Sequence, residues 1–317
     1  MSTDIEDIRK GPVFGPFIFL IDKDVDETSF DVIRKFKRLY GKRLGKIGHL
    51  GTLDPFATGL LIIGIGGSTR LNQYTEGDTK EYEAIGILGQ KSPTGDLTCE
   101  PNEVDFDESF SGTHINAINE VLNSFIGPYE QAPHAYSAAK VDGKKLYEYA
   151  REGKIIKKDK VLRHIHEIEL KSYRENELHL RVVVSHGTYI RVLMEEIAER
   201  LGTFGVLKEL RRTKVGDLST EDALKSSDLN ELDPYEILRT AKPVDTLLKT
   251  SSLELEDDLV ARYSNGQRLK VSKEDGLFWV VASNKIYGLG KVVDNTLSSA
   301  VNFQPAAPRS IDLNLKK

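Results

Sequence analysis

Apolar positions recur along this chain at two spacings, and the changes between them mark out its elements. Phe17-Ile18-Phe19-Leu20-Ile21 is an unbroken apolar run and predicts a strand, as do Leu60 to Ile65 and Tyr82 to Leu88. Helical spacing follows Thr28 or Ser29, either of which can cap a helix. Its apolar stripe is Phe30, Ile33, Phe36 and Tyr40, closed by Gly41. Thr113 predicts the cap of another helix, with Ile115, Ile118, Leu122 and Phe125 on one face and Gly127 as its stop. Leu146 to Ala150 sits in a short polar helix. Arg163 to Tyr173 and Glu177 to Ser185 alternate like the arms of a hairpin, with Arg174-Glu175-Asn176 at the turn. Tyr189 to Leu201 is amphipathic and ends at Gly202.

This mixture predicts an α+β domain on one long mixed or antiparallel sheet flanked by helices. The texture changes after about residue 240. Asp233 to Pro243 reads as a helix and connector, and Ser251 to Asp258 as an acidic joint. From Leu259 to Phe303 come short strands, divided by turn signals at Ser264-Asn265-Gly266, Lys273-Glu274-Asp275-Gly276 and Asp294-Asn295. The expected division is a main domain over 1–245, a small all-β module over 250–305 and a flexible tail over 306–317. No internal repeat is visible.

The chain has 317 residues, room for one large domain plus a small one. No apolar run approaches the roughly 18 to 20 residues of a membrane span. Met1 to Asp7 is acidic and polar, which argues against a signal or transit peptide. A lone cysteine, Cys99, excludes an intramolecular disulfide and fits a reducing compartment, so the cytoplasm is expected. The net charge of −5 speaks against a polyanion partner, but the distribution speaks for one. Arg34, Lys35, Lys37, Arg38, Lys42, Arg43 and Lys46 follow one another with no acidic residue among them. A second basic stretch runs from Lys140 to Arg163, and a third is Arg211-Arg212-Thr213-Lys214. Such runs are often no more than solvated faces. Beside a poised carboxylate they favour a groove for phosphates.

That carboxylate is Asp54, in Gly48-His49-Leu50-Gly51-Thr52-Leu53-Asp54-Pro55-Phe56-Ala57-Thr58-Gly59. Alone, Asp-Pro is a turn dipeptide. Here Pro55 biases Asp54 away from helical geometry, and the glycines let the backbone take positive φ or approach a ligand closely. Other chemistry is weakly supported. His164-Ile165-His166 is the closest metal candidate, but two histidines on one face of a strand more often pack or face solvent. Gly64-Ile65-Gly66-Gly67-Ser68-Thr69 is glycine-rich yet lacks the lysine of a phosphate loop and reads as a strand end.

The pattern G-H-x-G-T-L-D-P-x-A-T-G resembles the catalytic motif of the TruB family of tRNA pseudouridine synthases. Lys80-Glu81-Tyr82 with Thr94-Gly95-Asp96 resembles a second family segment. Pro133 to Lys140 and Gly143 to Gly153 resemble the family's RNA-gripping thumb loop. Ser185-His186-Gly187-Thr188-Tyr189-Ile190-Arg191 and Leu210-Arg211-Arg212-Thr213 match the later motifs, in the family's order from about residue 14 to 220. The C-terminal module resembles the PUA-like domain of bacterial members. Three positions depart from the pattern: the turn after Lys23 lacks the usual proline and glycine, Leu50 replaces a small hydroxyl residue, and His186 stands where a lysine is common.

The resemblance implies isomerisation of the T-loop uridine 55 of tRNA after the base is flipped out. Asp54 would be the nucleophile, or the base that starts glycosidic cleavage. Arg191 would keep it ionised, and Tyr82 would stack on the base and take or return a proton. Tyr189 and Leu210 would line the pocket, the bland alternative for Tyr189 being a core tyrosine at a helix start. His49 would fill the space the base leaves. Lys144, Lys145 and Arg151 would grip phosphates. The resemblance further implies a monomer that needs no cofactor, metal, membrane or protein partner. Two other readings stay open: an RNA-binding or tRNA-folding protein on the same fold, and a guide-RNA-dependent rRNA pseudouridine synthase.

Overall fold

The computed structural model describes residues 15–75, 77–137, 139–156 and 158–308. They form two compact units, one of the described residues up to 75 together with those from 218 onward, the other of residues 77–217. The first unit begins with β1 (Phe17–Lys23), α1 (Ser29–Tyr40), β2 (Ile47–His49) and β3 (Thr58–Ile65). The second holds β4 (Lys80–Leu88), α2 (Ile115–Asn123), β5 (Gly127–Gln131), α3 (Leu146–Arg151) and β6 (Val161–Arg174). It ends with β7 (Glu177–Val184), α4 (Ile190–Arg200) and β8 (Gly205–Val215). The chain then returns to the first unit with β9 (Leu224–Lys225) and α5 (Pro234–Arg239). Its C-terminal module follows: β10 (Ser252–Glu254), α6 (Asp257–Ser264), β11 (Leu269–Lys270), β12 (Gly276–Ala282), β13 (Lys285–Val293) and β14 (Thr296–Pro308). The α+β class and the C-terminal β module are those the sequence predicts.

In the first unit β1 runs antiparallel to β3, from Phe17 opposite Ile65 to Lys23 opposite Gly59. β2 pairs with the far half of β3, and β9 lies parallel to β1. Both long strands are buried almost throughout, which is why they read as continuous apolar runs rather than alternating ones. Helix α1 lays Val32, Ile33, Phe36 and Tyr40 on them, with Phe36 4.7 Å from Phe19 between ring centres. Thr28, not Ser29, is the cap. Its hydroxyl accepts from Asp31 N, and the Asp31 carboxylate accepts from Thr28 N, a reciprocal capping box. Phe30 does not join the stripe and is 55% exposed. It lies one residue, about 100°, round the helix from buried Ser29.

The C-terminal module is a five-stranded sheet in the order β10-β12-β13-β14-β11. Its core gathers Leu253, Val260, Tyr263, Val280, Val292 and Leu297. The end of the expected acidic joint and the start of the expected short strands, residues 257–264, form helix α6 instead, because Val260 and Tyr263 recur at helical spacing and enter that core. The last strand continues to Pro308, beyond Gln304, while the remainder of the expected tail lies outside the described residues, as does the acidic stretch Met1 to Asp7. Among the described residues no helix is long and apolar enough to cross a membrane.

The second unit is an antiparallel sheet in the order β8-β4-β7-β6-β5. The β6–β7 hairpin turns on Glu175 and Asn176, both at positive φ, as a tight two-residue turn requires. Helix α2 begins one residue later than expected. His114 occupies the cap without a side-chain bond, and Ile115 at the frayed first turn is exposed, leaving Ile118, Leu122 and Phe125 as the buried face. Helix α4 comes down on β4 at Gly86, where a Cβ would lie 2.2 Å from Met194 Sδ. Gly86→Ala should therefore destabilise the protein by about 1–3 kcal/mol through overpacking. The check is a lower denaturant midpoint at unchanged slope, and an unaltered midpoint would mean that α4 does not pack this closely.

Candidate active site

Asp54 sits between β2 and β3, on a loop fastened from several sides within the first unit. Leu50 N donates to Ile62 O at 2.8 Å, and Leu50, Leu53 and Ala57 are buried as apolar anchors. Ala57 N donates to Asp54 O at 3.1 Å, which closes the Asp54-Pro55-Phe56-Ala57 turn. Ser29, displaced from the capping role, is buried at the start of α1 and clamps the loop. Its hydroxyl donates to Leu53 O at 3.2 Å and accepts from Leu53 N at 3.0 Å. Gly51 and Gly59, at φ 110° and 100°, supply the positive-φ corners. Asp54 itself is half-buried.

Lys23 is the less expected member of this site. It is fully buried at the end of β1, and its ammonium donates to three carbonyls: Glu27 O at 2.6 Å, Asp24 O at 2.8 Å and Pro55 O at 3.2 Å. One cation thus ties the turn after β1 to the proline beside Asp54. Asp26 N adds a bond to Pro55 O at 2.9 Å. Burial lowers the Lys23 pKa to about 8, against the raising pull of Glu27, Asp24, Asp26 and Asp54. The proline and glycine missing from this turn are replaced by a side chain that coordinates it, with Asp26 adopting φ 62°.

The second unit carries the other expected residues. Tyr82 is buried on the central strand β4, opposite Val182 on β7 and Arg212 on β8. Leu210, opposite Ala84, is buried on β8. Tyr189, half-buried, precedes α4, and its backbone is clamped by Gln131, whose Oε1 accepts from Tyr189 N at 2.7 Å and whose Nε2 donates to Tyr189 O at 2.9 Å. Arg191 is buried in the first turn of α4. It donates to Thr94 O at 2.6 Å and Tyr136 O at 3.2 Å, and lies 3.3 Å from Asp96 Oδ2. The other Asp96 oxygen accepts from Thr94 Oγ1 at 2.8 Å, Thr98 Oγ1 at 2.5 Å and Thr98 N at 3.0 Å. A buried guanidinium therefore has a buried carboxylate to offset it.

In the sequence Asp96 stands out only as part of a matching segment and Ser29 only as a candidate helix cap, and Gln131 and Glu195 carry no expected role. The available signal was the T-G-D-x-T spacing, which lets two hydroxyls and an amide converge on one carboxylate. Near this pair, His134 Nε2 and Glu195 Oε1 are 3.9 Å apart. Burial, then Arg191, lowers His134 to about 4, with Asp96 opposing. Burial raises Glu195 to about 7 against the pull of Arg191, helped by Glu196 and Asp96.

The expected thumb is a two-residue hairpin, Lys140–Val141 against Lys144–Lys145 turning on Asp142 and Gly143, followed by α3. Ala138 and Lys157 of this stretch lie outside the described residues. Lys144 pairs with Glu152 and sits 4.7 Å from the Tyr149 ring centre. Lys145 and Arg151 flank the Tyr147 ring at 5.2 and 5.3 Å. Much of the other basic charge is used inside the fold. Lys35 pairs with Glu27, Arg34 with Asp31 and Lys214 with Glu81, while Arg43 and Arg212 are buried. His49 ends β2, half-buried, opposite Ile63. His164 and His166 lie 4.6 Å apart between ring centres, tilted by 42°, on an exposed face of β6, and among the described residues no third ligand completes a metal group.

Comparison with known proteins gives the family. Residues 37–190 match the TruB family pseudouridylate synthase N-terminal domain, and residues 191–249 the tRNA pseudouridylate synthase B C-terminal domain. A protein of Psychrobacter cryohalolentis named tRNA pseudouridine synthase B is 40% identical over 265 residues, covering 80% of this chain and 71% of that protein. The chain belongs to the TruB family. One of the same name from Burkholderia pseudomallei is 38% identical over 260 residues, covering 81% of this chain and 83% of its own length. Among solved structures, a chain of a Cbf5-Nop10-Gar1 complex superposes with a TM-score of 0.67 at 23% identity, covering 96% of this chain and 88% of that one, a likeness of fold.

Two predictions concern how this TruB-family site is held. Lys23→Met leaves three carbonyls without their shared donor and should cost roughly 1–3 kcal/mol. It should also loosen the Asp54 loop, read as faster amide exchange at Leu53 and Ala57. Unchanged exchange would mean that Ser29 and the apolar anchors hold the loop alone.

The second prediction is a pH dependence. Glu195 is raised from 4.5, so its contribution is fully present below about pH 4.5 and is lost as pH rises through about 7. His134 is lowered from 6.5, so its contribution is present above about pH 6.5 and is lost as pH falls through about 4. The two slopes oppose between pH 4.5 and 6.5. In that window Glu195→Gln should make stability rise with pH, and His134→Gln should make it fall, both relative to the parent chain. Parallel curves for all three proteins would rule the pair out.

Proposed function

We propose that this chain isomerises a uridine of tRNA to pseudouridine, at the T-loop position 55, with Asp54 as the reacting carboxylate. The observation that carries the reading is the Asp54 loop: a half-buried carboxylate fastened by Ser29, Lys23 and three apolar anchors. It occurs in a chain whose relatives are named tRNA pseudouridine synthase B.

The reaction breaks the N1–C1′ glycosidic bond, turns the base, forms a C5–C1′ bond and moves the C5 proton to N1. Nothing enters or leaves in the balance, so the chemistry calls for a nucleophile or base, a counter-charge and a base-shaped pocket rather than for a redox group. Asp54 attacks, or removes the proton that starts cleavage. Tyr82 stacks on the flipped base and relays a proton, a contact worth roughly 1–3 kcal/mol. Arg191 supplies the positive charge that keeps the reacting carboxylate ionised, and the buried Asp96 fixes its orientation. Tyr189 and Leu210 line the pocket, and His49 fills the place the base vacates. Lys144, Lys145 and Arg151, carried on Tyr147 and Tyr149, contact phosphates. On this reading the protein works alone, without a cofactor, in the cytoplasm.

Flipping out of a loop costs less than flipping out of a duplex, which favours a loop uridine as target. The test is to map pseudouridine in tRNA treated with the parent chain and with Asp54→Asn. The parent should modify position 55. The variant should lose isomerisation while binding tRNA within a few-fold, since the substitution removes no phosphate contact. Turnover retained by Asp54→Asn would end the assignment, and a parent chain that binds tRNA but modifies nothing would be a tRNA-folding protein instead.

A further inference from the structure

A cleft of about 570 Å³ opens within the first unit, at the end of β3 remote from the Asp54 loop. Its size lies within the range of small-ligand sites. Lys46 and Arg70 line it, with the backbone of Gly66 and Gly67 on one side and Asn302 and Gln304 of β14 on the other. Among the described residues none that lines it is acidic. Arg70 donates to Asn302 O, and neither cation has a carboxylate partner among the described residues. The glycine-rich segment Gly64 to Thr69, unexplained by the reaction, is what shapes this wall. Gly66 turns at φ +64°, and a Cβ at Gly67 would lie 2.6 Å from Phe303 Cδ1. The glycines thus let β14 approach and keep the cleft floor low.

Two cations facing one concave space, with no carboxylate partner among the described residues, create a positive potential that an anion relieves. We infer that this cleft binds a phosphodiester of the RNA substrate. The inference rests on the proposed RNA activity and adds a second contact to it. β3 runs eight residues from Thr58, at the Asp54 loop, to Ile65, at the cleft. At about 3.3 Å per residue the two are on the order of 25 Å apart. The phosphate therefore belongs to a nucleotide well removed from the one that reacts, and a short RNA does not reach both places.

The experiment measures the salt dependence of binding for the full chain and for Lys46→Gln, Arg70→Gln and the double variant. Two RNAs are used: a whole tRNA and a short oligonucleotide carrying only the loop. With whole tRNA the double substitution should flatten the slope of log affinity against log salt by roughly 0.7 to 0.9, the value of one phosphate contact, and each single substitution by part of it. With the loop oligonucleotide the slope should not change. Lys46 makes no side-chain bond among the described residues, so Lys46→Gln remains a clean test should Arg70→Gln disturb β14. An unchanged slope for Lys46→Gln with whole tRNA overturns the proposal, and equal changes with both RNAs overturn its placement. Inorganic phosphate and uridine monophosphate are titrated in parallel. Binding of either that the double variant abolishes, with the tRNA slope intact, assigns the cleft to a free phosphate ligand and overturns the RNA assignment. Pseudouridine mapping with the parent chain stands apart from all of this: its failure would sink the proposed reaction and leave the slope result standing.

Discussion

A carboxylate that reacts with a flipped nucleotide must be in place before the nucleotide arrives, and here backbone hydrogen bonds from two buried side chains put it there. Ser29 closes on Leu53 and Lys23 on Pro55, one residue to either side of Asp54. Both clamps belong to elements built for other reasons: Ser29 opens the helix that covers β1, and Lys23 ends β1 itself. The position of Asp54 is therefore set by the same packing that makes the first unit compact. A loop held only by its own turn would have to be ordered by the substrate, at an entropic cost of about 1–2 kcal/mol per residue. Arranging the loop in advance keeps that free energy available for flipping the base.

Buried charge in the second unit follows the same logic with different groups. Arg191 enters the interior at the start of α4, where two backbone carbonyls and Asp96 accept its protons. Asp96 in turn takes two hydroxyls and an amide, so neither charge is left with unmet bonding capacity on the sides that are accounted for. That saturation lets an ion pair survive at low dielectric, where an unmatched partner would cost several kcal/mol. The opposed shifts next door come first from burial, which lowers His134 to about 4 and raises Glu195 to about 7, with Arg191 adding to the first shift and opposing the second.

What the sequence made legible and what it hid divide along physical lines. The long strands, the capped helix and the hairpin at Glu175-Asn176 were readable because their signals are local: apolar runs, an S/T-x-x-D cap, a turn pair that tolerates positive φ. Phe30 and Ile115 fall outside the buried faces because an apolar residue in the first turn of a helix can match the spacing while facing solvent. Residues 257–264 were taken into the β module because a two-turn helix is too short for its period to stand out. Asp54 was legible as part of a long motif. Lys23, Ser29 and Asp96 were not, because their partners are backbone groups up to 32 residues away or a neighbouring charge that no periodicity reveals.

The charge pattern misled in a more instructive way. Runs of Lys and Arg drew the eye, yet within them Lys35, Arg34 and Lys214 are paired and Arg43 and Arg212 are buried. A cation already neutralised by a carboxylate releases few counterions when a phosphate replaces that carboxylate, so it adds little to affinity. Cations without an opposite charge therefore contribute more to a polyanion than paired ones such as Lys144, and they need not lie in a run. Lys46 ends one stretch and Arg70 stands outside every stretch. The fold brings them to the same cleft, where no lining residue among those described is acidic. A chain of net charge −5 can thus present positive ground to RNA, because where the acids are absent counts for more than how many there are.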